Sequence, residues 1–240
     1  MAVPRAMVRR RSPTDKTSER HLSRSSREAR NAEPRWPSII AVLAVGGLSF
    51  ALHSDLIVGP RWLFPGAVVT LLIPTVISHQ TGRHDLDRFL GFVVSSLLTI
   101  GLIASVILLV KALPSHRQSP VALMQSAASL WFTNVLVFAL WYWRLDAGGP
   151  NDRDSRQTHE DGAFLFPQMT MSPEERRSIG QAMWSPSFLD YLFLAFNTST
   201  AFSPTDTPAL TSWAKLLMMV QSIISLAVLA LLAARAVNIL

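Results

Sequence analysis

The chain contains no cysteine. That excludes disulfides, thiolate metal sites and cysteine nucleophiles, and it leaves the redox compartment undetermined. Charge is also scarce. Only 16% of the 240 residues are Asp, Glu, Lys or Arg, against about 25% in an ordinary soluble domain. The deficit is uneven, because charge concentrates in residues 1–35 and 144–177. No segment shows the apolar–polar alternation of a strand, and no internal repeat is visible. No nucleophile–base arrangement and no glycine-rich phosphate loop is present, so the chain reads as a non-enzyme with no cofactor and no metal centre. Glycine is missing altogether from Trp184 to Leu240.

What remains between the charged stretches is a series of long uncharged runs in a chain that is 49% hydrophobic. This is the composition of a polytopic membrane protein. The candidates are 36–52, 62–78 with Pro74 inside it, 89–110, 121–143 ending in Trp141, Tyr142 and Trp143, the short 188–202, and 213–240. The three aromatics suit a belt at a membrane interface. The expected fold is an all-α transmembrane bundle of five to six segments. Its expected regions are a disordered basic arm (1–35), four membrane helices (36–143), a polar loop with a short amphipathic helix (144–187), and a short crossing or re-entrant segment followed by a long last helix (188–240).

The net charge is +6 and the basic excess sits mainly in residues 1–35. Anionic lipid headgroups are the expected partner of that arm, rather than nucleic acid. Acidic Asp15, Glu19, Glu28 and Glu33 argue against an organellar transit peptide, and the first apolar run lies too far from "RRRSP" for twin-arginine export. If every segment crosses, one side collects Arg83, Arg88, Arg144, Arg153, Arg156, Arg176, Arg177 and Arg235, and the other Arg61, Lys111, Arg117 and Lys215. The positive-inside rule then expects six crossings in a bacterial cytoplasmic membrane, with both termini in the cytoplasm.

In the 144–187 loop, Ser172, Pro173, Glu174 and Glu175 are the start of a capped helix over 172–183. Asp152, Asp154, His159, Glu160 and Asp161 are residue types that ligate metals, but their spacing fits no calcium-loop geometry, and a solvated loop is the expectation. His79, His84, Asp85 and Asp87 read as a second exposed connection.

The C-terminal stretch "FNTSTAFSPTD" (196–206), followed by "TPALTSWAK" and a long apolar helix, resembles the pore module of the two-transmembrane potassium channels. That resemblance implies a short pore helix, an extended filter and an inner helix, with Asp206, Pro208 and Lys215 at the family's acidic, proline and basic positions. The filter glycines are missing and Pro204 stands in their place, which argues against potassium selectivity. Thr200, Phe202, Thr205 and Asp206 also resemble a motif of bacterial inner-membrane families of undefined function, a resemblance that implies location and helix number only. The candidate pore or turn residues are Asn197, Thr198, Thr200, Ser203, Thr205 and Asp206. The candidate intramembrane polar residues are Asn134, Asp190, Gln221, Ser222 and Ser225; Asp190 is placed at the start of its segment, at the interface, and the other four are expected chiefly as interhelical hydrogen-bonding groups. Ala227, Ala230 and Ala234 form a small-residue face suited to helix packing. The expected role is structural or interactional with a degenerate channel-like segment; the alternative is a low-selectivity channel or transporter, and a membrane-embedded enzyme ranks third. A pore loop implies a homo-oligomer, whereas a packed bundle requires none.

Overall fold

The structure, a computed structural model, describes residues 33–81, 83–112, 119–155, 159, 162–182, 184–200 and 207–237. The regular structure in these residues is helical, with one isolated antiparallel bridge between Phe164 and Ala209. The helices are α1 (Trp36–Leu48), α2 (Leu63–Gln80), α3 (His84–Ala112), α4 (Pro120–Leu145), α5 (Pro150–Asp154), α6 (Pro173–Ser178), α7 (Phe188–Thr200) and α8 (Ser212–Val237). The all-α expectation therefore holds. Three stretches, Asp85–Ala112, Val121–Gly148 and Ser212–Ala234, are long and apolar enough to cross a membrane. The apolar helices Trp36–Ala51 and Leu63–His79 are shorter.

Local chemistry explains the helix ends. Ser119 caps α4 by accepting from Ala122 N at 3.2 Å, with Pro120 in the first turn. Ser172 and Glu175 form a reciprocal capping box on α6, and the backbone N–H of Ser172 donating to Glu175 holds that carboxyl below its usual range. The helix nevertheless stops at Ser178, where Gly180 adopts φ +75°. It is half the length that the sequence suggests. Asp190 sits in the first turn of α7 and accepts from Ser187 N (2.7 Å) and Ser187 Oγ (2.8 Å), which satisfies an orphan donor at the helix start.

α4 is the axis of the bundle. Its face carries Leu123, Ala127, Leu130, Val137, Phe138 and Tyr142 into the core, and α3, α7, α8 and α1 pack around it. One end of the bundle, here called the loop end, gathers Arg35, the turn between α2 and α3, the C-terminus of α4 and the 144–187 segment. Contacts that fix it include Arg35 to Asn151 (3.0 Å) and Asn151 to Asp87 (3.1 Å).

Two expectations are corrected here. The 144–187 segment is not solvated throughout. Asp146, Arg153, His159, Ala163, Phe164 and Phe166 are buried, because Phe164 and Phe166 stack edge-on against Tyr142, Tyr191 and Trp184. Nor do the aromatics at the end of α4 form a lipid-facing belt. Tyr142 and Trp143 are buried, and Trp141 donates its indole N–H to Thr99 Oγ1 at 2.7 Å.

Candidate functional site

The three helices α4, α7 and α8 are tied together by a buried polar network. Gln221 is at its centre and is fully buried. Its Nε2 donates to Ala195 O (2.7 Å) and Ser199 Oγ (2.8 Å), and its Oε1 accepts from Tyr142 Oη (2.5 Å). Ser225 Oγ donates to Ser199 O (2.6 Å) and accepts from Trp131 Nε1 (3.0 Å). Asn134 Nδ2 donates to the backbone oxygen of Gln221 (3.2 Å). That contact fixes the amide orientation, since a flipped Asn134 would set two acceptors against each other. Asn134 Oδ1 is then a buried acceptor with no hydrogen-bond partner among the described residues.

These pairings reveal the course of the chain. Residues 195 and 199 of α7 meet residues 221 and 225 of α8, so the two helices advance together: they run parallel. Both begin at the loop end. Tyr191, in the first turns of α7, donates its hydroxyl to Asp146 Oδ2 (2.6 Å) just past α4. Trp213, in the first turn of α8, packs on Phe164 at 5.9 Å. Immediately before α8, Leu165 N donates to Pro208 O (2.9 Å) and Leu210 N to Ala163 O (2.7 Å). The chain therefore leaves the loop end along α7, ends that helix beside Asn134 and Ser225, and is back at the loop end by Thr207. Counting charges favours a crossing by 188–202, whereas the described residues have α7 and α8 running parallel from the loop end. A crossing would have delivered α8 antiparallel to α7.

The loop end holds a second buried cluster. Asp146 is fully buried. Its carboxylate accepts from Tyr191 and from Ala163 N (2.5 Å), and it lies 3.6 Å from His159 Nε2. Arg153 Nη1 donates to Trp143 O (2.7 Å) and Asp146 O (3.0 Å), and its guanidinium covers the Tyr191 ring at 4.9 Å. This cluster seats the start of α7 on the end of α4.

The sequence-derived candidates distribute as follows. Asn134, Gln221 and Ser225 are brought together. Ser222 is exposed and reaches Thr198 O at 3.3 Å. Thr198 and Thr200 turn their hydroxyls onto their own helix, to Leu194 O and Phe196 O. Asn197 is half-buried and Asp190 belongs to the helix start. Ser203, Thr205 and Asp206 lie outside the described residues. Ala227 is half-buried and Ala230 and Ala234 are exposed, so within the chain α8 packs through Gln221, Ser225 and Val228 and not through the expected small-residue face. Tyr142, Ser199, Trp131, Asp146, Arg153 and Tyr191 were not singled out from sequence for these roles. Tyr142 was discoverable, since 134, 138 and 142 share one helical face. Among the described residues no group of three metal-ligating side chains converges. No family model, no curated protein and no solved structure matches the chain.

Proposed function

We propose that the protein is an integral membrane protein that conducts cations with low selectivity through a pore-loop module formed by α4, α7 and α8. The observation that carries the reading is the parallel course of α7 and α8. An outer helix, a half-length helix dipping inward, a return to the same end and a full-length inner helix is the order of elements that a pore loop requires. α7 and α1 each have 13 residues, so the parallel course of α7 and α8, and not length, sets α7 apart as the half-helix. Half-helices of this kind are tolerated where protein covers them. The carbonyl end of α7 lies deep in the bundle beside Asn134 Oδ1, which has no hydrogen-bond partner among the described residues. Both present partial negative charge, which favours a cation there.

Charge supports an orientation. The loop end carries Arg35, Arg83, Arg88, Arg144, Arg153, Arg176, Arg177 and, because α8 starts there, Lys215. Among the described side chains the other end holds Arg61 and Lys111. By the positive-inside rule the loop end is cytoplasmic. α1 to α4 and α8 then make five crossings, and Val237 finishes outside, where charge counting alone had set six crossings and both termini inside. A bacterial cytoplasmic membrane and a homo-oligomer, with the ion path between copies, complete the reading.

Purified protein in liposomes is expected to pass monovalent cations with little preference between sodium and potassium. Asp206→Ala should reduce the flux severalfold. A structural role is the second reading, favoured by the way Thr198, Thr200, Gln221 and Ser225 spend their polar atoms on neighbouring helices. Absence of flux for any small cation across a wide voltage range would favour it and remove conduction.

A further inference from the structure

A cleft of about 170 Å³ opens at the loop end between α1, α2 and the end of α4. Its polar end is made by Arg35, His79, Asp87 and Arg144, and its apolar arm by Ile39, Val42, Leu72 and Val76. Three of the polar groups are already engaged. Arg35 binds Asp154 and Asn151. Asp87 accepts from Asn151 and lies 3.6 Å from His79 Nδ1. Arg144 differs. Among the described residues its guanidinium makes no hydrogen bond and no salt bridge, and its Nε is buried without a partner. It lies 5.5 Å from the Trp143 ring and against the bare Cα of Gly91, where a Cβ would come within 1.6 Å of Nη1. Asp87 is its attractive charge and Arg35 its repulsive one.

Arg144 is half-buried with its Nε fully so; a guanidinium partly withdrawn from water without an acceptor is costly, and its planar fork matches a phosphate. The adjoining apolar arm requires that the phosphate carry a hydrocarbon chain. We propose that this cleft holds the phosphodiester headgroup of a membrane lipid on Arg144, with an acyl chain along Ile39, Val42, Leu72 and Val76. Basic pockets between membrane helices on a cytoplasmic face suit such headgroups. Asp87 gives the rim one negative charge, which disfavours a multiply charged free anion and tolerates a headgroup with a single one. The lipid site rests on the membrane reading and not on conduction.

The test is native mass spectrometry of the full chain, delipidated in detergent and titrated with dilauroyl phosphatidylglycerol. One saturable lipid adduct is expected. Arg144→Gln should weaken it about tenfold, the loss of one charge-assisted pair. Val76→Trp should weaken it too, by filling the arm while leaving every charge in place. Lys111→Gln, at the opposite end, should leave it unchanged. Should Arg144→Gln fail to fold, Val76→Trp decides alone. An adduct indifferent to Val76→Trp overturns the proposal, as does displacement of the lipid by equimolar glycerol phosphate, which would make this a site for free phosphate. A chain that sediments with membranes yet forms no saturable adduct sinks the lipid site and leaves the membrane reading standing.

Discussion

Replacing Asp146 with alanine is expected to remove about 3–5 kcal/mol of stability, the usual cost of taking one member from a buried charged cluster. The carboxylate holds three elements at once. It accepts the hydroxyl of Tyr191 from α7 and the backbone N–H of Ala163 from the loop, and it faces His159 at 3.6 Å. Without it the Ala163 N–H and Tyr191 hydroxyl are stranded in an aromatic interior that water does not reach. Asp146→Asn should be milder, at roughly 1–2 kcal/mol, because the amide oxygen can still serve Ala163 and the tyrosine hydroxyl can turn to accept. Thermal unfolding in detergent, followed by size-exclusion profile, orders the three proteins as wild type, Asn, Ala. If Asp146→Ala unfolded with the wild type, the loop would not be anchored through this residue.

Gln221→Leu is expected to cost about 2–4 kcal/mol, since hydrogen bonds between membrane helices average ~0.6 and reach ~1.7 kcal/mol each. Three bonds are lost, to Tyr142, Ala195 and Ser199, and the Tyr142 hydroxyl is left buried without its acceptor. Removing that hydroxyl as well should recover part of the loss: the double variant Tyr142→Phe, Gln221→Leu is expected to be more stable than the sum of the single effects implies. Ser222→Ala, one position along on the exposed side, should be close to neutral. Equilibrium unfolding of the four variants checks the set. Additive effects of Tyr142→Phe and Gln221→Leu would show that the two side chains do not act on each other.

The positions of the helices were largely legible in the sequence, because uncharged runs and a capping serine with a following proline are local signals. Asn134, Gln221 and Ser225 were also legible, as polar side chains in apolar helices that need partners. The direction of α7 was not. Summed Lys and Arg counts treat each apolar run as one crossing, so Lys215 was assigned to the wrong end and Arg235 counted with the loop side. The pairing of 163–165 with 208–210, the contact of Trp213 with Phe164 and the parallel pairing of α7 with α8 show that the chain has come back, and such long-range contacts leave no periodic trace. Burial of Asp146, Arg153, His159, Ala163, Phe164 and Phe166 within the 144–187 segment was hidden for a related reason. Its acidic and basic residues suggest solvent, while the groups that bury it, Phe164, Phe166 and Trp184, are spaced irregularly and find their partners on α4, α7 and α8. The Ala227, Ala230 and Ala234 stripe misled because helix faces are chosen by the strongest interaction available. On α8 that is the polar triplet Gln221, Ser222 and Ser225, whose buried members point away from Ala230 and Ala234.

The central claim is that α7 enters and the chain returns at one end of the bundle, and the absence of native cysteine makes it directly measurable. Single cysteines at Asp152, Leu210 and Lys111, all exposed, can be probed with a membrane-impermeant thiol reagent in intact and in opened cells. The expected result is that positions 152 and 210 label from the same side, the cytoplasm, and position 111 from the other. Labelling of 152 and 210 from opposite sides would mean that α7 crosses the membrane, and the pore-loop account would fail with it.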